Sequence, residues 1–297
     1  MARKMPLQGI VPIVAVPFSD GGEVDTESFR RLLRHLTETK VSGLGLFGIA
    51  SEFYKLTDDE RRELQGVFLE SVKPSTKLGI VSITDHSWEV ARQRALRAQD
   101  GGADMVNIFL PHFLPMSDEA LLLHVQRIVE AVSIPVIIQY APNELRRTLS
   151  PGLLNELYEQ YRPRLAFKIE AQPPGRHIEQ LREMSPDVPC LVGYAGVNML
   201  DAAERGAVGV QPGCSFAEIY LKIWSCAGGA GRLYERLLPY LTLWMQTPEY
   251  IIRVEKEILY RRGLIASPYC RSSSYPLSPH DDETIKRFMA EFDEFLG

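Results

Sequence analysis

Residues 136–169, VIIQYAPNELRRTLSPGLLNELYEQYRPRLAFKI, read as strand, helix, strand. Val136–Gln139 and Leu165–Ile169 are apolar runs of strand length. Between them Ser150 stands as an N-cap, with Pro151 at the first helical position, where a missing N–H costs nothing. Strands joined through a helix run parallel, because the crossover returns the chain to the same end of the sheet. The unit recurs on both sides, with strands expected at Ile10–Val16, Leu44–Phe47, Leu78–Val81, Met105–Phe109, Cys190–Val192 and Val208–Gln211. Helix starts are legible at the capping box Thr57-x-x-Glu60, at Ser87 before Trp88, and at Ser117 before Asp118. Eight such units close into an α/β fold of the (β/α)8 barrel kind, with a doubly wound open sheet as the alternative. After Gly228-Gly229-Ala230-Gly231 the strands stop, and helical patterns follow at Arg232–Gln246, Glu249–Arg262 and Asp281–Phe295. The expected division is a catalytic barrel over 1–228 and a C-terminal helical extension over 229–297.

Composition narrows the function. The 297 residues suit one barrel with an appendage, and no run approaches the roughly 18 apolar residues of a spanning helix. Lys+Arg 33 against Asp+Glu 38 gives a net charge of −5, so no basic surplus is available for nucleic acid. Cysteines at 190, 214, 226 and 270 show neither C-x-x-C pairing nor zinc spacing. A reduced, cytoplasmic protein without a metal is expected. Arg3 and Lys4 precede apolar residues, but Pro12, Pro17 and Asp20-Gly21-Gly22 break the pattern of a signal peptide. Gly43-Leu-Gly-Leu-Phe-Gly48 spells G-x-G-x-x-G, yet its glycines punctuate a strand instead of opening a helix, so a dinucleotide site is not expected.

In a barrel the chemistry gathers at the carboxyl ends of the strands. Those ends supply Ser51 and Glu52, Asp85 and His86, His112, Gln139 and Tyr140, Lys168 and Glu170, Tyr194 and Gln211. Lys168 lies in a strand that reads as buried, and a desolvated amine is what Schiff-base chemistry needs. Strand period places Glu170 on the same face, as an acid–base partner or as half of a structural ion pair. His86 and His112 fit a proton relay, a metal or a mere loop hydrogen bond, and no metal is assigned.

Gly48-Ile-Ala-Ser-Glu52, Leu56-Thr-Asp-Asp-Glu-Arg61, Leu110-Pro-His-Phe-Leu-Pro115, Gln139-Tyr-Ala-Pro142 and Phe167-Lys-Ile-Glu-Ala171 occur in order. Together they resemble the blocks of the pyruvate-dependent class I aldolases, the dihydrodipicolinate synthase and N-acetylneuraminate lyase family. The resemblance runs from about Gln8 to about Ile265. It implies a TIM barrel with C-terminal helices, a homo-oligomer of four or two chains, and no cofactor beyond a covalent imine on Lys168. Several positions depart from the family pattern. The hydroxyl residues that hold the 2-oxo acid carboxylate fall at Ile49 and Ala50, which leaves that task to backbone N–H groups or Ser51. The proton-shuttling tyrosine falls at Gln139, or a one-residue slip brings Tyr140 there. The neighbouring subunit's tyrosine falls at Phe113, and the arginine for the second substrate falls at Glu144. A Ser-Glu block, Gln-x-Ala-Pro and Phe-Lys-Ile-Glu are similar to the branch of 2-keto-3-deoxy sugar acid dehydratases, such as the 2-keto-3-deoxyarabinonate enzyme.

The resulting expectation is a lyase acting on a 2-oxo acid, dehydrating or cleaving a 2-keto-3-deoxy sugar acid. Lys168, Glu170, Gln139 and Tyr140 are the candidate catalytic residues, and Gly48, Ile49, Ala50, Ser51, Glu52, His112, Tyr194 and Gln211 the candidate substrate contacts. The competing readings are a synthase-type aldol condensation of pyruvate and a binding homologue without turnover. The expected partner is a small molecule, not nucleic acid or membrane.

Overall fold

The computed structural model describes residues 5–225 and 230–296. The strands are β1 (Gly9–Ile10), β2 (Gly43–Leu46), β3 (Leu78–Ser82), β4 (Met105–Phe109), β5 (Val136–Tyr140), β6 (Leu165–Ile169), β7 (Cys190–Val192) and β8 (Gly209–Val210). Eight strands alternate with helices along the chain, the pattern of a (β/α)8 barrel. The first strand is shorter than Ile10–Val16 because Pro12 and Pro17 offer no N–H to a ladder. The expected boundary at 228/229, the glycines beside it, and Arg3 and Lys4 lie outside the described residues.

Two compact units divide the chain, Met1–Gln8 with Leu78–Gln211, and Gly9–Lys77 with Pro212–Gly297. The first holds β3 to β8, all parallel, with registers such as Ser82↔Asn107, Phe109↔Gln139 and Gln139↔Lys168. Every residue of β4, β5 and β6 is buried, as strands covered on both faces must be. Crossover helices start where their caps predict, at Ser87, Ser117 and Ser150.

The second unit holds β1 and β2, the capping box Thr57–Glu60, and the C-terminal helices Ala230–Trp244, Pro248–Arg261 and Pro279–Glu291. Ile13 bridges Gly45 on one side and Gly213 on the other, both in parallel sense. Its tail helices pack through Trp244, Phe216, Tyr240 and Phe288, whose rings meet at 5.0–6.3 Å. The G-x-G-x-x-G spelling lies in buried β2 and the turn after it, and the next α-helix begins only at Asp58. Among the described residues no helix is long and apolar enough to cross a membrane.

Candidate active site

Lys168 sits one residue from the end of β6, and Glu170 follows on the same face. Lys168 Nζ lies 3.2 Å from Glu170 Oε1, with side chains only 7% and 10% exposed. Gln139, in register with Lys168 on β5, donates from Nε2 to Glu170 Oε2 at 2.6 Å. The main-chain N–H of Tyr194 donates to Glu170 Oε1 at 3.1 Å. That N–H points inward because Tyr194 and Ala195 both adopt left-handed backbone just after β7. Gly193 leaves room for the carboxylate, since a methyl there would lie 2.2 Å from Glu170 Oε1. Three donors therefore converge on Glu170, one from each of three adjacent strand ends.

The network continues into β4 and β3. Asn107 Nδ2 donates to Gln139 Oε1 and to Ser82 Oγ, each at 3.1 Å. With Oε1 taken by Asn107, the Gln139 amide can present only its N–H to Glu170. Asn107 and Ser82 are absent from the sequence-derived candidates. Their signal is a polar residue inside otherwise apolar parallel strands, which the pattern MVNIF does carry.

Strand alternation places Tyr140 on the other side of β5. Its buried hydroxyl donates to the Leu149 carbonyl at 3.2 Å and accepts from the Leu149 N–H at 2.9 Å. Gln139, not Tyr140, joins the Lys168–Glu170 pair. His112 is exposed, stacks on Phe109 at 4.4 Å and bonds the Leu110 carbonyl, the arrangement of a loop residue. Gln211 is buried, and neither amide atom has a hydrogen-bond partner. The Tyr194 phenol is pushed up by burial and by the charges of Glu144 and Glu170.

The residues Gly48 to Glu52 belong to the second unit. Gly48 caps the 3-10 turn Ile49–Ser51, and a side chain there would press on Ile13 at 2.9 Å. Ile49 and Ala50 are half-buried. Ser51 is fully buried, its hydroxyl donating to the Val14 carbonyl at 2.6 Å and accepting from the Phe47 N–H at 3.1 Å. Glu52, also buried, meets Lys55 at 3.0 Å and forms an ion pair with Lys256. Lys256 is itself held by the Tyr269 carbonyl at 3.0 Å and the face of Phe18 at 4.1 Å. Ser51 and Glu52 thus have their polar atoms committed to the folded frame of this unit. Among the described residues, no group of three or more His, Cys, Asp or Glu could hold a metal ion.

The family model of dihydrodipicolinate synthetases matches residues 6–293. The chain belongs to the dihydrodipicolinate synthetase family. This family contains class I aldolase and lyase enzymes, a dehydratase among them, and the chain is an enzyme of that lyase group. It is 27% identical over 281 residues to an L-2-keto-3-deoxyarabonate dehydratase from Azospirillum brasilense, covering 92% of this chain and 90% of the relative. It is 30% identical over 189 residues to a 4-hydroxy-tetrahydrodipicolinate synthase from Methanococcus aeolicus, covering 63% and 64%. A dihydrodipicolinate synthase structure from Rhodopseudomonas palustris superposes with a TM-score of 0.88 at 24% identity, over 98% of this chain and 100% of the other. This last likeness bears on the fold alone. For a dihydrodipicolinate synthetase family member, the Lys168 cluster lies where barrel chemistry is expected, at the carboxyl ends of the strands.

Proposed function

We propose that this lyase forms an imine between Lys168 and the C2 ketone of a 2-oxo acid, needs no other cofactor, and dehydrates or cleaves a 2-keto-3-deoxy sugar acid. The observation that carries the reading is the buried Lys168–Glu170 pair at 3.2 Å, set among polar groups inside an otherwise apolar sheet. Glu170 Oε1 is positioned to take the ammonium proton, which frees the amine to attack C2. Loss of water from the carbinolamine gives an iminium, and this electron sink acidifies C3. Glu170 then serves as the base for the C3 proton. Gln139 exchanges no proton at neutral pH, so its role is to hold Glu170 in line.

The match to a 2-keto-3-deoxyarabonate dehydratase over 92% of this chain supports the sugar acid as substrate class. The resemblance that implies the imine also implies a homo-oligomer. Borohydride trapping tests the reading: incubation with pyruvate, or with a 2-keto-3-deoxy pentonate, then reduction and peptide mass analysis. A reduced adduct on Lys168 is expected, and it should vanish in Lys168→Ala. No adduct from a folded protein with either 2-oxo acid would sink the proposal.

A further inference from the structure

Glu144 is a second carboxyl group at this site, and nothing above gives it a task. It lies in the short helix Pro142–Leu145, which leaves the carboxyl end of β5. Its Oε2 is buried with no hydrogen-bond partner. The charges that act on it are those of Lys168 on β6 and Glu170 just past it, and its own charge acts on the Tyr194 phenol beyond β7. Tyr194 in turn shares a hydrogen bond with Asn143, the residue before Glu144. Glu144, Lys168, Glu170 and Tyr194 are thus carried by the carboxyl ends of three adjacent strands, β5, β6 and β7, where barrel chemistry gathers.

The two carboxyl groups live in opposite surroundings. Glu170 accepts from Gln139, from Tyr194 and from Lys168. Glu144 Oε2 has no donor, and burial first, then the charge of Glu170, pushes the Glu144 carboxyl up, against the pull of its own backbone N–H and of Lys168. A carboxyl group buried without a donor favours its neutral form, while one that accepts three donors suits the base, and such a pair divides the work of base and acid.

We propose that Glu144 is the general acid of the reaction, delivering its proton to the hydroxyl that leaves C4, which makes the enzyme a dehydratase and not an aldolase. The inference rests on the imine reading above. Glu170 removes the C3 proton from the iminium, leaving an enamine. The enamine electrons re-form the iminium as the C4–O bond breaks, and the departing oxygen takes the Glu144 proton to leave as water. Hydrolysis of the conjugated iminium frees the product and the Lys168 amine. The proton gained by Glu170 and the one lost by Glu144 balance, and transfer between them resets the site. Cleavage of C3–C4 would instead need a base at the C4 hydroxyl, the opposite of the role proposed for Glu144.

Glu144→Gln tests the assignment by three readouts against the wild type. These are the borohydride adduct on Lys168 with a 2-keto-3-deoxy pentonate, exchange of pyruvate methyl protons in deuterated buffer, and formation of dehydrated product. Adduct and exchange should stay close to wild type, while dehydration falls by about 100-fold or more, the usual worth of a general acid. The trapped adduct should then carry the mass of the intact sugar acid. Dehydration by Glu144→Gln at the wild-type rate would overturn the acid role and leave the imine reading standing. Release of pyruvate by the wild type would do the same, and so would loss of exchange in the variant, which would mark Glu144 as a support of the whole site. A wild type that traps no adduct would overturn the imine reading and this inference together.

Discussion

The amide of Gln139 donates to the Glu170 carboxylate at 2.6 Å, and it can do so in one orientation only because Asn107 occupies the Gln139 carbonyl at 3.1 Å. The pair joins β5 to β6 in the polar stripe that begins at Ser82 and ends at Lys168. Position and polarity at Glu170 are thus set two strands away.

Asn107→Leu should release the Gln139 amide to rotate and turn its carbonyl toward Glu170. A lost hydrogen bond of about 1 kcal/mol corresponds to roughly a fivefold fall in kcat. Steady-state kinetics would show it, while borohydride trapping of pyruvate on Lys168 should persist. An unchanged kcat would remove Asn107 from the network.

Gly193→Ala places a methyl 2.2 Å from Glu170 Oε1, which must move off Lys168. Backbone strain is not the cause, because Gly193 has a negative φ of −100°. The expected outcome is at least about a tenfold loss of turnover, the result of shifting a reacting group by a fraction of an ångström to an ångström. Thermal unfolding should confirm that the variant is folded.

Tyr140→Phe separates the two neighbours on β5. Removing the hydroxyl leaves the buried Leu149 N–H and carbonyl unpaired, a cost of about 1–2 kcal/mol in urea unfolding. Turnover should stay within about twofold, because the hydroxyl takes no part in the Lys168 cluster. A collapse of kcat at full stability would reverse the assignment.

Glu52→Gln should behave as a stability variant. Lys256 is buried and keeps Glu52 as its ion-pair partner, so removing that charge leaves an uncompensated ammonium. Breaking a buried pair costs about 3–5 kcal/mol, and KM for the 2-oxo acid should not change. Chemical denaturation beside steady-state kinetics distinguishes this from loss of a substrate contact.

Glu255, on the helix Pro248–Arg261, gives a separate pH signature. It is buried against Gly213, and burial pushes its carboxyl from the ordinary 4.5 up to about 8, opposed by the Cys214 N–H. Between those values the folded chain holds a proton that the unfolded chain has released. The contribution of this group is therefore fully present below about 4.5 and lost as pH rises through about 8. The slope is at most about 1.4 kcal/mol per pH unit for one proton. Urea midpoints of wild type should fall between pH 5 and pH 9 relative to Glu255→Gln, and parallel curves would refute the assignment.

Much of this protein was written in its local pattern. Strand and helix alternation, the capping serines and the apolar run around Lys168 depend on neighbours within a few residues, so they predicted β3 to β7 closely and placed Lys168 and Glu170 on one face. The blocks from Gly48 to Ala171 carried the family as well. Which residues share the site was decided by tertiary structure, because strand register and side-chain reach act between segments tens of residues apart. Only folding turned Tyr140 toward Leu149, set Asn107 and Ser82 behind Gln139, and committed Ser51 to the Val14 carbonyl and Glu52 to Lys256. Burial did the rest: it left Glu144 with an unpartnered oxygen and Glu170 with three donors, a difference of environment that two identical letters in a sequence do not record.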